Sequence, residues 1–397
     1  MPNRLEKLAE LAVHGANVQP GQILMVKAEL GNEELARAVA AAGYRRGARF
    51  VDVDYFDPYV KRARIEHGDP ATLDFVPPWH GERALEHAAE RGARVTFETL
   101  TAPNVLEGLD PKLVGKDMLP RVKELSRVVN ERSTNWCIVP APHRNWAALV
   151  YPDLSGDEAY ERLWSELEHV LRLDEADPAA AWDERMAVLN DVARRLTERA
   201  FDAYELRGPG TELVVGMLPT YRFWAADFER ADGLRHLPNL PTEEVFTTPD
   251  PERVTGHVTS TKPLALNDGT IVRGLRVRFE DGVAVEIDAD ENGDAVRTLL
   301  EIDEGARRLG ELALVDGNGR IGPLGTVFYS TLLDENAASH IAFGSGFTFL
   351  VDPDVTERVN ESAQHLDFMI GSPEVEVDGL TAAGERVPVL RAGEWQI

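Results

Sequence analysis

Glu335 and His340, inside the run Thr331-Leu-Leu-Asp-Glu-Asn-Ala-Ala-Ser-His340, place the strongest constraint on how this chain folds. Five positions along a regular helix leave two side chains about 140° apart. They meet at one point only if a turn or irregular segment separates them, and Asp334-Glu335-Asn336 has the composition of one. A short way downstream, His365-Leu-Asp367 lies in the strand-like segment from His365 to Ile370, where a spacing of two puts both side chains on one face. The chain has ten histidines in 397 residues, so two of them set among carboxylates form a concentrated N/O donor set of the kind hard and borderline divalent cations select. Taken singly, each residue has a plainer account: a surface imidazole beside an acid, a capping carboxylate, a packed histidine.

Two more carboxylates adjoin apolar strand signals. Glu244 lies in Leu237-Pro-Asn-Leu-Pro-Thr-Glu-Glu-Val-Phe-Thr247, and Glu311 opens Glu311-Leu-Ala-Leu-Val315 after Gly310. A carboxylate entering a sheet core is costly unless it is paired or bound to a cation. For Glu311 the competing account is a strand-end acid that reaches water.

The surrounding pattern predicts an α/β N-terminal domain over residues 1–105 and a β-rich α+β catalytic domain over 106–397, helical at first and strand-rich from about 205. In the first part, Leu5, Leu8 and Ala12 mark a helical stripe, Ile23 to Val26 a buried strand, and Leu35 to Tyr44 a helix behind the N-cap candidate Asn32. Phe50 to Tyr55 and Arg94 to Glu98 read as further strands, the latter after an Ala-rich helix at 83–92, and this alternation argues parallel pairing. Ala28-Glu-Leu-Gly-Asn32 stands where a Gly-x-Gly-x-x-Gly would, so dinucleotide binding is not expected. Asn135-Trp136 and Pro140-Ala-Pro-His143 read as turns within a helical region. Asp177-Pro178 starts a helix whose stripe is Trp182, Met186, Leu189, Ala193 and Leu196. Strands are expected at Thr211–Gly216, Val254–Thr261, Val272–Glu280 and Val283–Asp288, with Asp281-Gly282 as a hairpin turn, then a helix at Ala295–Leu309 and hairpins from Glu374 onward.

Composition narrows the partners. A net charge of −26 repels nucleic acid and anionic membranes, and no apolar run is long enough to span a bilayer. With no h-region at its start and one cysteine, Cys137, the chain is expected in the cytoplasm. Sixty-eight acids against 42 basic residues, only seven of them lysine, also suit a salt-rich cytoplasm in which screening tempers self-repulsion. If so, the fold weakens when salt is dialysed away; an acidic protein of dilute cytoplasm keeps full stability.

Four long motifs, in order, resemble those of the thermophilic aminopeptidase T and aminopeptidase S group of metallopeptidases: Pro241 to Thr247, Gly310 to Val315, Phe328 to Gly344 and His365 to Ser372. Thr134-Asn-Trp-Cys-Ile-Val-Pro140 is similar too, and the resemblance covers the whole chain. It implies two divalent ions, zinc, cobalt or magnesium, with Glu244, Glu311, Glu335, His340, His365 and Asp367 as ligands and Glu311 shared between the ions. It further implies a homodimer that releases N-terminal amino acids from peptides with a free N-terminus. A carboxylate left over from ligation would carry a proton to the leaving amine, and Glu243 is considered for that, although its place beside Glu244 sends it to the opposite face of a strand. The family usually has a tyrosine seven residues after the ligand histidine, and here that position is Phe347. The alternatives are an iron-dependent ring-opening dioxygenase on a related fold and a non-catalytic dimeric peptide-binding scaffold.

Overall fold

The computed structural model describes residues 3–397 apart from Met118, Arg121, Ala226 and residues 267–269. Two compact units emerge: Met1–Asp183 with Asp227–Pro241, and Glu184–Ala226 with Thr242–Ile397.

The first unit is built on four strands, β1 (Ile23–Glu29), β2 (Phe50–Phe56), β3 (Ala93–Glu98) and β4 (Asn135–Pro140), all parallel in the order β2-β1-β3-β4. Helices α1 (Arg4–Gly15), α2 (Glu33–Arg45) and α3 (Pro78–Ala89) accompany it. Leu8 and Ala12 of the predicted stripe are buried on α1, and Asn3 with Glu6 forms a capping box at its start. Asn32 does stand at the start of α2, but its side chain is buried and makes no cap hydrogen bond.

The expectation of a turn at Asn135-Trp136 is corrected: these residues begin β4. Trp136, Cys137 and Val139 are buried, and Asn135 finds its partners there, donating from Nδ2 to the Ala16 carbonyl at 2.5 Å and accepting at Oδ1 from Arg230 at 2.9 Å. A satisfied buried amide thus removes the usual reason for Asn to turn the chain. The boundary expected at residue 105 also falls inside this unit, because β4 completes its sheet. Residues 227–241 return to the free side of β4, where Ile138 donates to the Pro238 carbonyl at 2.7 Å and Leu240 to the Ile138 carbonyl at 2.9 Å. Backbone groups that would be an open edge are thereby paired.

His236 on this returning segment packs against Trp136, ring centroids 4.6 Å apart, and is buried. Burial pulls its pKa down from 6.5 to about 4. Between those values the unfolded chain takes a proton that the folded chain refuses. Stability is therefore expected to fall as pH drops from about 6.5 to about 4, by on the order of 3 kcal/mol from this residue. Denaturant melts of the wild type and His236→Phe across that range check it: the variant should lose less stability, and parallel curves would refute the assignment.

Helix α4 (Pro178–Arg199), most of which belongs to the second unit, starts as expected, with Asp177 Oδ1 accepting from the Ala180 amide at 3.1 Å and the predicted stripe buried. The unit contains an eight-stranded and a five-stranded antiparallel sheet. In the larger, Asp281 and Gly282 both take positive φ, 47° and 81°, as a two-residue hairpin turn requires. The segment expected as one strand from Val272 is divided into Ile271–Val272 and Arg276–Glu280, with Gly274 at φ 61° between them. The helix expected over Ala295–Leu309 is shorter, Gly293–Leu299. Asp303 accepts from the Ala306 amide at 2.8 Å and the Ala363 amide at 2.7 Å, which bends the chain out of the helix before Leu309.

The five-stranded sheet holds β5 (Trp224–Ala225), β6 (Glu244–Thr247), β7 (Leu309–Val315), β8 (His340–Gly344) and β9 (His365–Met369) in the order β9-β8-β7-β6-β5.

Candidate metal centre

Register alone assembles the centre. Ala313 pairs with His340, Glu311 with Ala342, Ala342 with Asp367, Gly344 with His365 and Glu244 with Val315. Paired residues, and residues two apart, share a sheet face. Glu244, Glu311, His340, His365 and Asp367 therefore all emerge on one side, with Ala313, Ala342 and Gly344 between them. These small residues leave the space above the sheet to the longer donor side chains.

A bulge at Gly310 keeps both faces in order. The register shifts from Leu309 with Phe343 to Glu311 with Ala342, so Leu309 joins the apolar side while Glu311 stays with the donors. The close approach admits no side chain: a Cβ on Gly310 would lie 2.3 Å from the carbonyl oxygens of Gly344 and Ser345.

Among the described residues two donor triads form, Glu244 with Glu311 and His340, and Glu311 with His365 and Asp367, the ligand atoms of each within 4.8 Å of one another. His340 Nε2 is 3.1 Å from Glu244 Oε2, and His365 Nε2 is 3.1 Å from Glu311 and 3.3 Å from Asp367. Both imidazoles are anchored from behind. Nδ1 of His340 faces the Ala338 carbonyl at 3.2 Å and Nδ1 of His365 the Ser345 carbonyl at 2.9 Å. A carbonyl only accepts, so Nδ1 carries the proton and Nε2 is presented to the cluster, the arrangement typical of metal-binding histidine.

The fourth acid, Glu335, belongs to neither triad but sits in their field. A short helix α5 (Thr331–Asp334) and a 3₁₀ turn, Glu335–Ala337, precede β8, which is the irregular segment that convergence of Glu335 and His340 demands. Burial, then the charges of Asp367 and Glu244, hold the Glu335 pKa well above the ordinary range, and burial with Asp367 raises Glu311. For both histidines burial disfavours charge, yet the carboxylates outweigh it and raise them well above 6.5; Asp367 is lowered, His365 overcoming its burial.

This set fits a divalent cation. Glu244 Oε2 is buried with no well-aligned hydrogen-bond donor, and its neighbour in the cluster, His340 Nε2 at 3.1 Å, is itself a ligand-type atom. Four acids and two imidazoles in a largely buried space that opens at His365, with no Arg or Lys paired to any of the six among the described residues, are the donors of a cation site and a poor arrangement for anything else.

Glu243 does point the other way. Its carboxylate, fully buried, takes the Arg185 Nε at 2.6 Å, and Arg185 Nη2 reaches Asp316 at 2.6 Å. Bound in this ion triad, it is not available as the proton carrier considered above. The Glu243 amide donates to Asn336 Oδ1 at 2.7 Å, tying the strand of Glu244 to the turn of Glu335. The sequence reading names neither Arg185 nor Asp316, and it gives Asn336 only as part of a turn. The available signal was Arg185 itself, a charge inside the stripe of Trp182, Met186 and Leu189. The Phe347 ring stands 5.6 Å from that of His365 and 5.2 Å from that of Phe246. His143, the other histidine noted in a loop, accepts from the Asn145 amide at 3.2 Å as a helix cap.

Residues 1–395 match the profile of the thermophilic metalloprotease (M29) family. Aminopeptidase T of Thermus aquaticus is 41% identical over 99% of this chain and 98% of its own length. Aminopeptidase PepS of Streptococcus thermophilus is 35% identical, each chain covered in full. Among solved structures, wild-type AmpT from Thermus thermophilus superposes with a TM-score of 0.93 at 40% identity, covering 99% of both chains.

Proposed function

We propose a two-ion mechanism for this chain, which belongs to the M29 family of thermophilic metalloproteases and is a metal-dependent aminopeptidase. The observation that carries two ions is Glu311, whose carboxylate is common to both donor triads. Glu244, Glu311 and His340 would hold one ion, Glu311, His365 and Asp367 the other, and Glu335 completes the ligand set. Zinc, cobalt and magnesium all suit a site of this composition. Bound there, the ions would bring the pKa of a shared water toward neutrality and polarise the scissile carbonyl.

The chain's own groups do the rest. Backbone carbonyls at Ala338 and Ser345 fix both imidazole planes before any substrate arrives. Four carboxylates match the charge of two divalent ions, so the loaded site would be close to neutral and would not repel a substrate's α-ammonium group. Peptides with a free N-terminus are the proposed substrates, a homodimer the proposed assembly and the cytoplasm the proposed location. No helix of the described residues is long and apolar enough to cross a membrane. Family and relatives give the dioxygenase and scaffold alternatives no support.

The test is to strip the protein with a chelator, restore zinc, cobalt or magnesium in turn, count bound ions and assay aminoacyl amides beside their N-acetylated forms. Two ions per chain, restored turnover and resistance of the acetylated substrates are expected. Full turnover at one ion per chain would overturn the mechanism.

Phe347 bears on rate. It carries the ring beside His365 but no hydroxyl to donate to a developing oxyanion, and one such donor is typically worth about 10²- to 10³-fold. Phe347→Tyr is therefore expected to raise kcat by at least about tenfold with little change in KM. An unchanged kcat would mean that the position takes no part in turnover.

A further inference from the structure

On one face of the parallel sheet, positive charge exceeds what the local acids neutralise. Met25 pairs with both Asp52 and Arg94, and Lys27 with Asp54, so all five side chains emerge on the same side. Arg83 on α3 already bridges the two acids, at 2.5 Å to Asp52 and 3.1 Å to Asp54. Lys27 and Arg94 are left without a carboxylate at ion-pair distance among the described residues. The Arg94 guanidinium lies 5.9 Å from the Trp136 ring centroid, and its Nε is buried without a hydrogen-bond partner. Thr134 Oγ1, nearby, is likewise buried and unpartnered. Burial pulls Arg94 down to about 10, the mark of a cation with little local compensation. In a chain with 68 acids this is an unusual place to leave two cations bare.

Lys27, Arg94 and Thr134 all line one cavity of about 120 Å³, roughly ten times the space one water needs. Asp54, whose charge Arg83 meets at 3.1 Å, also lines it with Arg83, His80 and His87, and the rest of the wall is largely apolar, including Phe56, Leu125 and Val128. A small inorganic anion would shed its water against that wall for nothing in return. An anionic head on an apolar body matches both halves of the lining.

We propose that this cavity is a binding site for a small apolar monocarboxylate, its carboxylate held by Arg94 and Lys27 and its body against Phe56, Leu125 and Val128. All lining residues belong to the first unit, whereas every proposed metal ligand belongs to the second, so the two sites share no residue. A ligand taken up only by the folded state raises the melting temperature in proportion to its occupancy.

The experiment follows melting of the metal-loaded protein against benzoate, with benzamide and inorganic phosphate as probes, for wild type, Arg94→Met and Lys27→Met. Benzoate is expected to raise Tm saturably in the wild type, while the neutral amide and phosphate leave it in place. Each variant is expected to weaken benzoate binding by about 10- to 100-fold. Both should fold well, since each removes a buried charge that lacks a partner. No shift with benzoate, a shift of equal size in Arg94→Met, or an equal shift with phosphate would each overturn the proposal.

Discussion

Replacing Glu311 by Gln is expected to lower kcat/KM by about 10³-fold, the largest effect on activity of any single substitution in the centre. Its carboxylate is the member common to both donor triads, so the neutral amide weakens both ion sites at once. Loss of roughly 4 kcal/mol of the stabilisation that bound cations supply to the reaction corresponds to that factor. Gln preserves size and one oxygen, and the bulge at Gly310 that positions residue 311 is untouched. The metal-free variant is expected to melt no lower than metal-free wild type, because one of several crowded acids has lost its charge. What should vanish is most of the Tm increment that wild type gains from added zinc or cobalt. Two ions still bound, with activity within about tenfold of wild type, would remove Glu311 from its proposed role.

Arg185→Met is expected to cost about 3–5 kcal/mol of stability, the largest destabilisation outside the apolar core. The Arg185, Glu243 and Asp316 side chains are 8%, 0% and 1% exposed, so removing the cation takes a charged partner from two carboxylates where water does not reach, leaving neutral donors such as Asn318 Nδ2 on Asp316 at 3.1 Å and the Arg320 amide on Glu243 at 3.4 Å. Activity should fall with stability. Glu243 adjoins Glu244, and Asp316 follows Val315, the cross-strand partner of Glu244. The triple variant Arg185→Met, Glu243→Gln, Asp316→Asn removes both carboxylate charges along with their cation and should recover most of the loss. A cost below about 1 kcal/mol in Arg185→Met, or a triple variant as unstable as the single one, would show that the triad is not holding this region together.

Much of the centre could be read from residue types because its geometry is local and periodic. His365 and Asp367 share a strand face by spacing alone, and Glu335 with His340 announced an interruption that proved to be α5 and its 3₁₀ turn. Glu244 and Glu311 were conspicuous as acids entering apolar strands, and the structure places both in the donor cluster. What brings the strands into register, and so the donors onto one face, is pairing across long stretches of chain, which single-residue patterns do not encode. The same limit hid β4: Asn135 and Pro140 carry turn chemistry, and only the partners of Asn135, Ala16 and Arg230, reverse its preference. Arg185 is a lone charge in an otherwise apolar helical stripe, and its two acid partners, Glu243 and Asp316, lie too far along the chain for any local pattern to link them to it.

The return of residues 227–241 to β4 has a consequence for how the chain reaches its native state. During synthesis the first 183 residues emerge with one flank of their sheet bare, and more than forty further residues must follow before Leu240 can cover it. Until then the nascent chain offers strand-like backbone to any neighbour. A fragment ending at residue 183 is therefore expected to self-associate as it refolds, measurable by light scattering, and one extended through Pro241 to stay dispersed only if the intervening segment allows the last residues to swing back.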